Sequence, residues 1–154
     1  MSEAIKHECG IVLLRLLKPL DYYIEKYGSP LWGLNKLYLL MQKQHNRGQD
    51  GAGIAAVTFN QKEGLRYINR QRSNSSTPIR DCFTPVYDQL QHIADTHPEL
   101  LKDIPWLKEN IPFVSELFLG HLRYGTYGNN DISSVHPFII NNTWMSRSIV
   151  VAGN

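Results

Sequence analysis

Residues 31–48, "LWGLNKLYLLMQKQHNRG", carry a single apolar stripe: Leu34, Leu37, Tyr38 and Met41 recur at three- and four-residue steps, and Gly48 stands where a helix commonly ends. A helix with one apolar side has to bury that side against another element. Short apolar runs flank it, "CGIVLLR" before and "AGIAAVTF" after, each too short and too continuous for a helix and rich in strand formers. Strands and a helix at this spacing predict a mixed α+β domain.

The rest of the chain extends that pattern. "LRYINRQ" is a further strand, separated from "AGIAAVTF" by the turn residues of "NQKEG", so the two form a hairpin. "KPLDYYIEKYGSP" reads as a polar and aromatic connection, and "RQRSNSSTP" as a loop. Val86, Leu90 and Ile93 give a second helical stripe that His97-Pro98 ends or kinks before "ELLKDIPWLKENIPF". "FLGHLRYGTYG" is a strand running into a glycine-rich turn, while "HPFIINN" and "WMSRSIVVAGN" pair as strands with Asn141-Asn142 near their turn.

At 154 residues, with 42% hydrophobic and 19% charged residues, the chain suits one folded domain with its own core. Its formal charge of +2 comes from interspersed residues with no basic block, which argues against nucleic acid as a partner. The polar start and the Arg15 interruption argue against a signal peptide or a membrane span. Cys9 and Cys82 are too few for a secreted disulfide framework, so reduced thiols and a cytoplasmic setting are expected.

A cysteine beside an apolar strand is most often an inert core residue. Cys9 has unusual company, however. "QHNRGQDGAGIA" and "GHLRYGTYG" are two glycine-punctuated segments, each joined to a strand and each with a central arginine. Glycine permits close approach of a ligand to backbone, and an arginine fork suits a carboxylate. The alternative for either segment alone is an ordinary tight turn.

The succession of "ECGI", "HNRGQDGAG", "GHLRYGT", "HPF" and an apolar strand ending in "GN" resembles the glutaminase domain of class II glutamine amidotransferases. Within them it is most similar to the amidophosphoribosyltransferase branch, with Gln49 and Tyr124 as the distinguishing choices. The resemblance implies an N-terminal nucleophile hydrolase fold, a four-layer αββα sandwich, here incomplete at the C-terminus. It further implies a propeptide at residues 1–8, a truncated glutaminase domain at 9–154, and a helical insertion at about 61–117.

The implied chemistry is hydrolysis of the glutamine side-chain amide through a cysteine thioester. Cys9 would be the nucleophile and, once at a free N-terminus, would supply its own amine as base; α-amino groups titrate at about 7.7 to 8.0. Arg123 would clamp the glutamine α-carboxylate, with the Thr126 hydroxyl beside it, and Gly48 would lend backbone to the pocket. Gly153 would give its N–H to the oxyanion, an interaction commonly worth about 3 to 4 kcal/mol in the barrier. No metal or cofactor is implied for this domain, magnesium belonging only to the phosphoribosyltransferase half. The implied partners are glutamine, that phosphoribosyltransferase domain and a second copy in a homo-oligomer.

Several residues depart from the family pattern. Ala152 stands where an asparagine commonly donates a second oxyanion bond, Asn46 lengthens the usual "HRG", and Gly125 replaces a common Ser or Pro. These leave two alternatives open: another class II amidotransferase, or a non-catalytic fragment that binds glutamine or a partner. His45, His121 and His136 lack metal-ligand spacing and read as structural, as does Cys82, while Asp50 and Asp131 read as turn or cap residues.

Overall fold

A computed structural model describes residues 8–125, 130–142 and 148–153. The main sheet has four antiparallel strands in the order β1-β4-β2-β3: β1 (Gly10–Arg15), β2 (Gly51–Val57), β3 (Ile68–Ser73) and β4 (Leu117–Arg123). A second, two-stranded antiparallel sheet joins β5 (Phe138–Asn141) to β6 (Ser148–Val151). Four α-helices, α1 (Leu20–Tyr27), α2 (Trp32–Lys43), α3 (Pro78–Thr96) and α4 (Ile104–Asn110), and short 3₁₀ turns at His45–Arg47, Pro98–Lys102 and Ile132–Ser134 complete the described elements. The protein is therefore α+β with antiparallel sheets.

The apolar stripe of α2 determines how the helix docks. Leu34, Leu37 and Met41 are fully buried, each transfer worth about 2 kcal/mol, as the helix lies across β4 and β1. Two glycines let it come close. A Cβ on Gly120 would stand 2.7 Å from Met41 Sδ, and one on Gly33 would stand 2.4 Å from the Phe118 ring. The neighbouring α3 covers β2 and β3, burying Ile79, Cys82, Phe83 and Val86 in the same core. Tyr38 and Phe83 join the two helices edge to face at 5.1 Å.

Strand alternation sends Val12, Ala52, Ile54, Phe118 and Leu122 into this helical core. The cross-strand partners Ile11, His121, Gly53 and Arg72 therefore line the opposite face. Against that face lies the segment entering β5, whose Val135 carbonyl accepts from Arg72 Nη1 at 2.8 Å. Among the described residues, the sheet thus has helices on one face and the β5–β6 pair on the other.

The local expectations fare unevenly. The strands at both ends, the helix through Met41, the β2–β3 hairpin and the β5–β6 pair all form. The "KPLDYYIEKYGSP" connection instead contains α1, which ends on Gly28 at φ 74° and stacks Tyr23 and Tyr27 on Trp32 at 4.8 and 5.0 Å. Strand β3 takes up the first half of the expected loop at "RQRSNSSTP". Residues 61–117 hold α3 and α4, but also β3, an integral strand of the main sheet.

Candidate functional site

Cys9 immediately precedes β1, where Gly10 pairs with Leu122. Extending that antiparallel register by one residue sets Cys9 opposite Arg123, with both side chains on the face away from the helical core. Cys9 Sγ accepts the Tyr124 N–H at 3.4 Å, so the half-buried thiol touches the main chain next to Arg123. The sheet order brings together residues 115 positions apart in the chain.

Arg123 is 6% exposed, and its Nη1 donates to Asn130 Oδ1 at 3.0 Å. Asn130 is itself tied to the start of the β3–α3 connection, its carbonyl accepting from Asn74 Nδ2 at 2.8 Å. The guanidinium is therefore held from two directions, by the strand that bears it and by this pair of asparagines. Asp50 organises the turn that follows: its N–H donates to the Arg123 carbonyl at 3.1 Å, and its Oδ2 accepts the Gly125 N–H at 2.7 Å. Asp131 caps a short 3₁₀ turn by accepting from Ser133 N–H at 3.0 Å. Both acids thus have the turn and cap roles expected of them.

The glycines of "HNRGQDGAG" serve the protein's own backbone. A Cβ on Gly48 would sit 2.6 Å from the Arg123 carbonyl carbon and oxygen, which fixes the 3₁₀ turn of His45–Arg47 under the end of β4. Gly48 is extended, at φ −157° and ψ 123°, and so does not form a left-handed helix cap. Gly51 faces Val135, while a Cβ on Gly53 would lie 2.0 Å from the His136 carbonyl oxygen. Close approach was expected from a ligand; at Gly51 and Gly53 the approaching group is the 135–137 segment.

Gly153 lies between two imidazoles. Its N–H donates to His136 Nδ1 at 2.9 Å and its carbonyl faces His121 Nε2 at 3.0 Å. The rings are 4.8 Å apart. Burial, the His136 charge and Arg123 together push His121 down to about 4, opposed by the bond to the Gly153 carbonyl. Burial, Arg123 and Arg72 also lower His136. Sequence reading treated these histidines as separate structural residues, and their spacing of 15 in the chain carries no signal that they meet. Thr126 lies outside the described residues.

Cys82 is 1% exposed, and burial pushes its thiol up to about 12, so it behaves as a small apolar side chain. Among the described residues there is no group of three or more His, Cys, Asp or Glu able to hold a metal, and no helix long and apolar enough to cross a membrane. A cleft of about 560 Å³ between residues 64–70 and the β5–β6 pair is lined by Arg66, Arg70, Ile139 and Asn141. It contains none of the expected site residues. The chemistry-bearing groups gather instead at the end of β4.

Comparison with protein-family models, curated proteins and solved structures finds no match.

Proposed function

We propose that this chain is a glutaminase unit of the class II amidotransferase type, with Cys9 as nucleophile and Arg123 as the clamp for the substrate α-carboxylate. The observation that carries this reading is the convergence of the Cys9 thiol and the buried Arg123 at one end of the central strand. An amino acid held by its carboxylate on Arg123 could extend its side chain along the sheet face toward Cys9. Thiolate attack on the amide carbon would give a tetrahedral intermediate, release ammonia and leave a γ-glutamyl thioester for water to hydrolyse. The four-layer αββα arrangement belongs to this proposal, with the β5–β6 pair as part of its second sheet.

The base in this mechanism is the amine of Cys9, which exists only after the bond to Glu8 is cleaved. While Glu8 is attached, that nitrogen is an amide and takes no proton at neutral pH. The proposal therefore includes removal of residues 1–8. In the amidophosphoribosyltransferase branch, the ammonia would pass to a phosphoribosyl acceptor held by a separate domain.

A second reading, a glutamine-binding module without turnover, draws on Gly153 and Ala152. The Gly153 N–H is engaged by His136, and Ala152 has no side-chain donor for an oxyanion. Incubation with a glutamine-like chloroketone, followed by peptide mass mapping and a glutamate-release assay, separates the readings. Alkylation of Cys9, blocked by glutamine, together with glutamate release supports the enzyme. Protection by glutamine without turnover supports the binding module, and alkylation indifferent to glutamine removes both.

A further inference from the structure

The two imidazoles around Gly153 fix each other's protonation state. To accept the Gly153 N–H, His136 Nδ1 must be bare, so the His136 proton sits on Nε2. To bond the Gly153 carbonyl, His121 Nε2 must carry the proton, which leaves its Nδ1 bare. That Nδ1 is buried without a hydrogen-bond partner among the described residues. A proton there would be a donor with nothing to receive it, and a proton on His136 Nδ1 would point at the Gly153 N–H.

We propose that His121 and His136 are positioning residues for Gly153, a two-point latch that ties the β5–β6 pair to the central strand and gives up one point, the Gly153 N–H, when His136 takes a proton on Nδ1. The connectivity makes the latch mechanical. His121 belongs to β4, His136 lies in the segment entering β5, and Gly153 follows β6. The N–H and the carbonyl of one residue therefore tie one end of the two-stranded sheet, where β5 begins and β6 finishes, onto the four-stranded one. Gly53 completes the seat, because only a residue without a side chain lets the His136 carbonyl lie against β2.

The surroundings oppose a charge on either ring. Arg123 from β4 and Arg72 from β3 are the charged side chains acting on the pair. Neighbours from the other elements among the described residues are uncharged: Ile11 of β1 and Gly53 of β2 lie across from His121, and the Phe138 ring of β5 sits 4.2 Å from that of His136. The bond from the Gly153 N–H is accordingly made while His136 is neutral and is lost as that ring takes up a proton below the ordinary histidine range, whereas the His121 Nε2–H bond to the Gly153 carbonyl is kept. The latch stands whether or not Cys9 attacks glutamine, since it needs only the two rings and the N–H and carbonyl of Gly153.

The test is amide exchange and imidazole ¹⁵N NMR on the whole chain, titrated from about pH 8 to about pH 4. At the upper end, His136 should be the Nε2–H tautomer and His121 should carry its proton on Nε2 as well. The protection factor of the Gly153 amide, corrected for intrinsic exchange, should fall about tenfold as His136 titrates, the weight of one hydrogen bond. In His136→Asn the Oδ1 replaces Nδ1 as a non-titrating acceptor, so protection should stay level with pH. In His136→Phe it should be low throughout. A wild-type Gly153 amide that stays equally protected while His136 takes up a proton overturns the latch. So does an Nδ1–H tautomer for His136 at about pH 8, a reading that needs no variant to fold.

Discussion

Replacing Gly53 with alanine probes the contact on which the second sheet rests. The residue lies in β2, with β3 on one side and β4 on the other, so its own backbone has no room to yield. Its φ is outside the left-handed region, and an alanine would meet no backbone strain of its own. The new Cβ would instead sit 2.0 Å from the His136 carbonyl oxygen and 2.9 Å from both the His136 carbonyl carbon and Pro137 Cδ. Ordinary carbon–oxygen contacts begin at about 3.3 Å, so the 136–137 segment must retreat by roughly 1.3 Å. Such overpacking costs about 1 to 3 kcal/mol, and weakening the Gly153 bond to His136 adds about 1 kcal/mol. The lower entropy of an unfolded alanine returns about 0.4 to 1 kcal/mol. The net expectation is a destabilisation of about 1 to 3.6 kcal/mol, or roughly 2 to 14 °C in Tm for a chain of this size. Urea unfolding monitored by circular dichroism measures it, with the Gly153 amide shift as the local report. A variant within about 0.5 kcal/mol of wild type, with that amide unmoved, would refute the reasoning.

Four further outcomes are expected. If Arg123 clamps the substrate carboxylate as proposed, Arg123→Lys, which keeps the charge but loses the planar fork, should raise KM for glutamine well beyond tenfold in initial-rate kinetics. Lys108 donates to the Glu116 carboxylate and, at 3.0 Å, to the Phe59 carbonyl, with both side chains largely buried. Lys108→Met should therefore cost about 3 to 5 kcal/mol in urea, and adding Glu116→Gln, which keeps an acceptor for the Phe59 N–H, should recover more than half of it. With a disulfide reagent at neutral pH the native protein should react at Cys9 alone, Cys82 following only after denaturation because its thiol is held up at about 12. Because the folded state holds His121 down to about 4, its contribution to stability is complete above an unfolded value of about 6.5 and is lost as pH falls from there toward about 4. His121→Gln should flatten that part of the stability profile.

What the sequence determined by itself is local, and the residues say why. Hydrophobic periodicity reports which side of a segment must be buried, and that was enough for α2 through Leu34, Leu37 and Met41 and for the strands around Val12, Ile54 and Phe118. Periodicity is silent about what lies on the other side. Helix α1 was missed because its aromatic residues hold it by stacking on Trp32, a partner that a polar, aromatic segment does not announce. The glycines of "DGAG" were legible as close-approach positions, but not that Val135 and His136 are what approaches. Only the tertiary structure decided which residues meet. The order β1-β4-β2-β3 sets Cys9 against Tyr124, 115 residues away, and beside Arg123. The same sheet, closed over by the β5–β6 pair, puts His121 and His136 on the carbonyl and the N–H of one glycine. The physical reason is that strand pairing joins backbones irrespective of their separation in the chain, whereas a sequence pattern extends only as far as a single element.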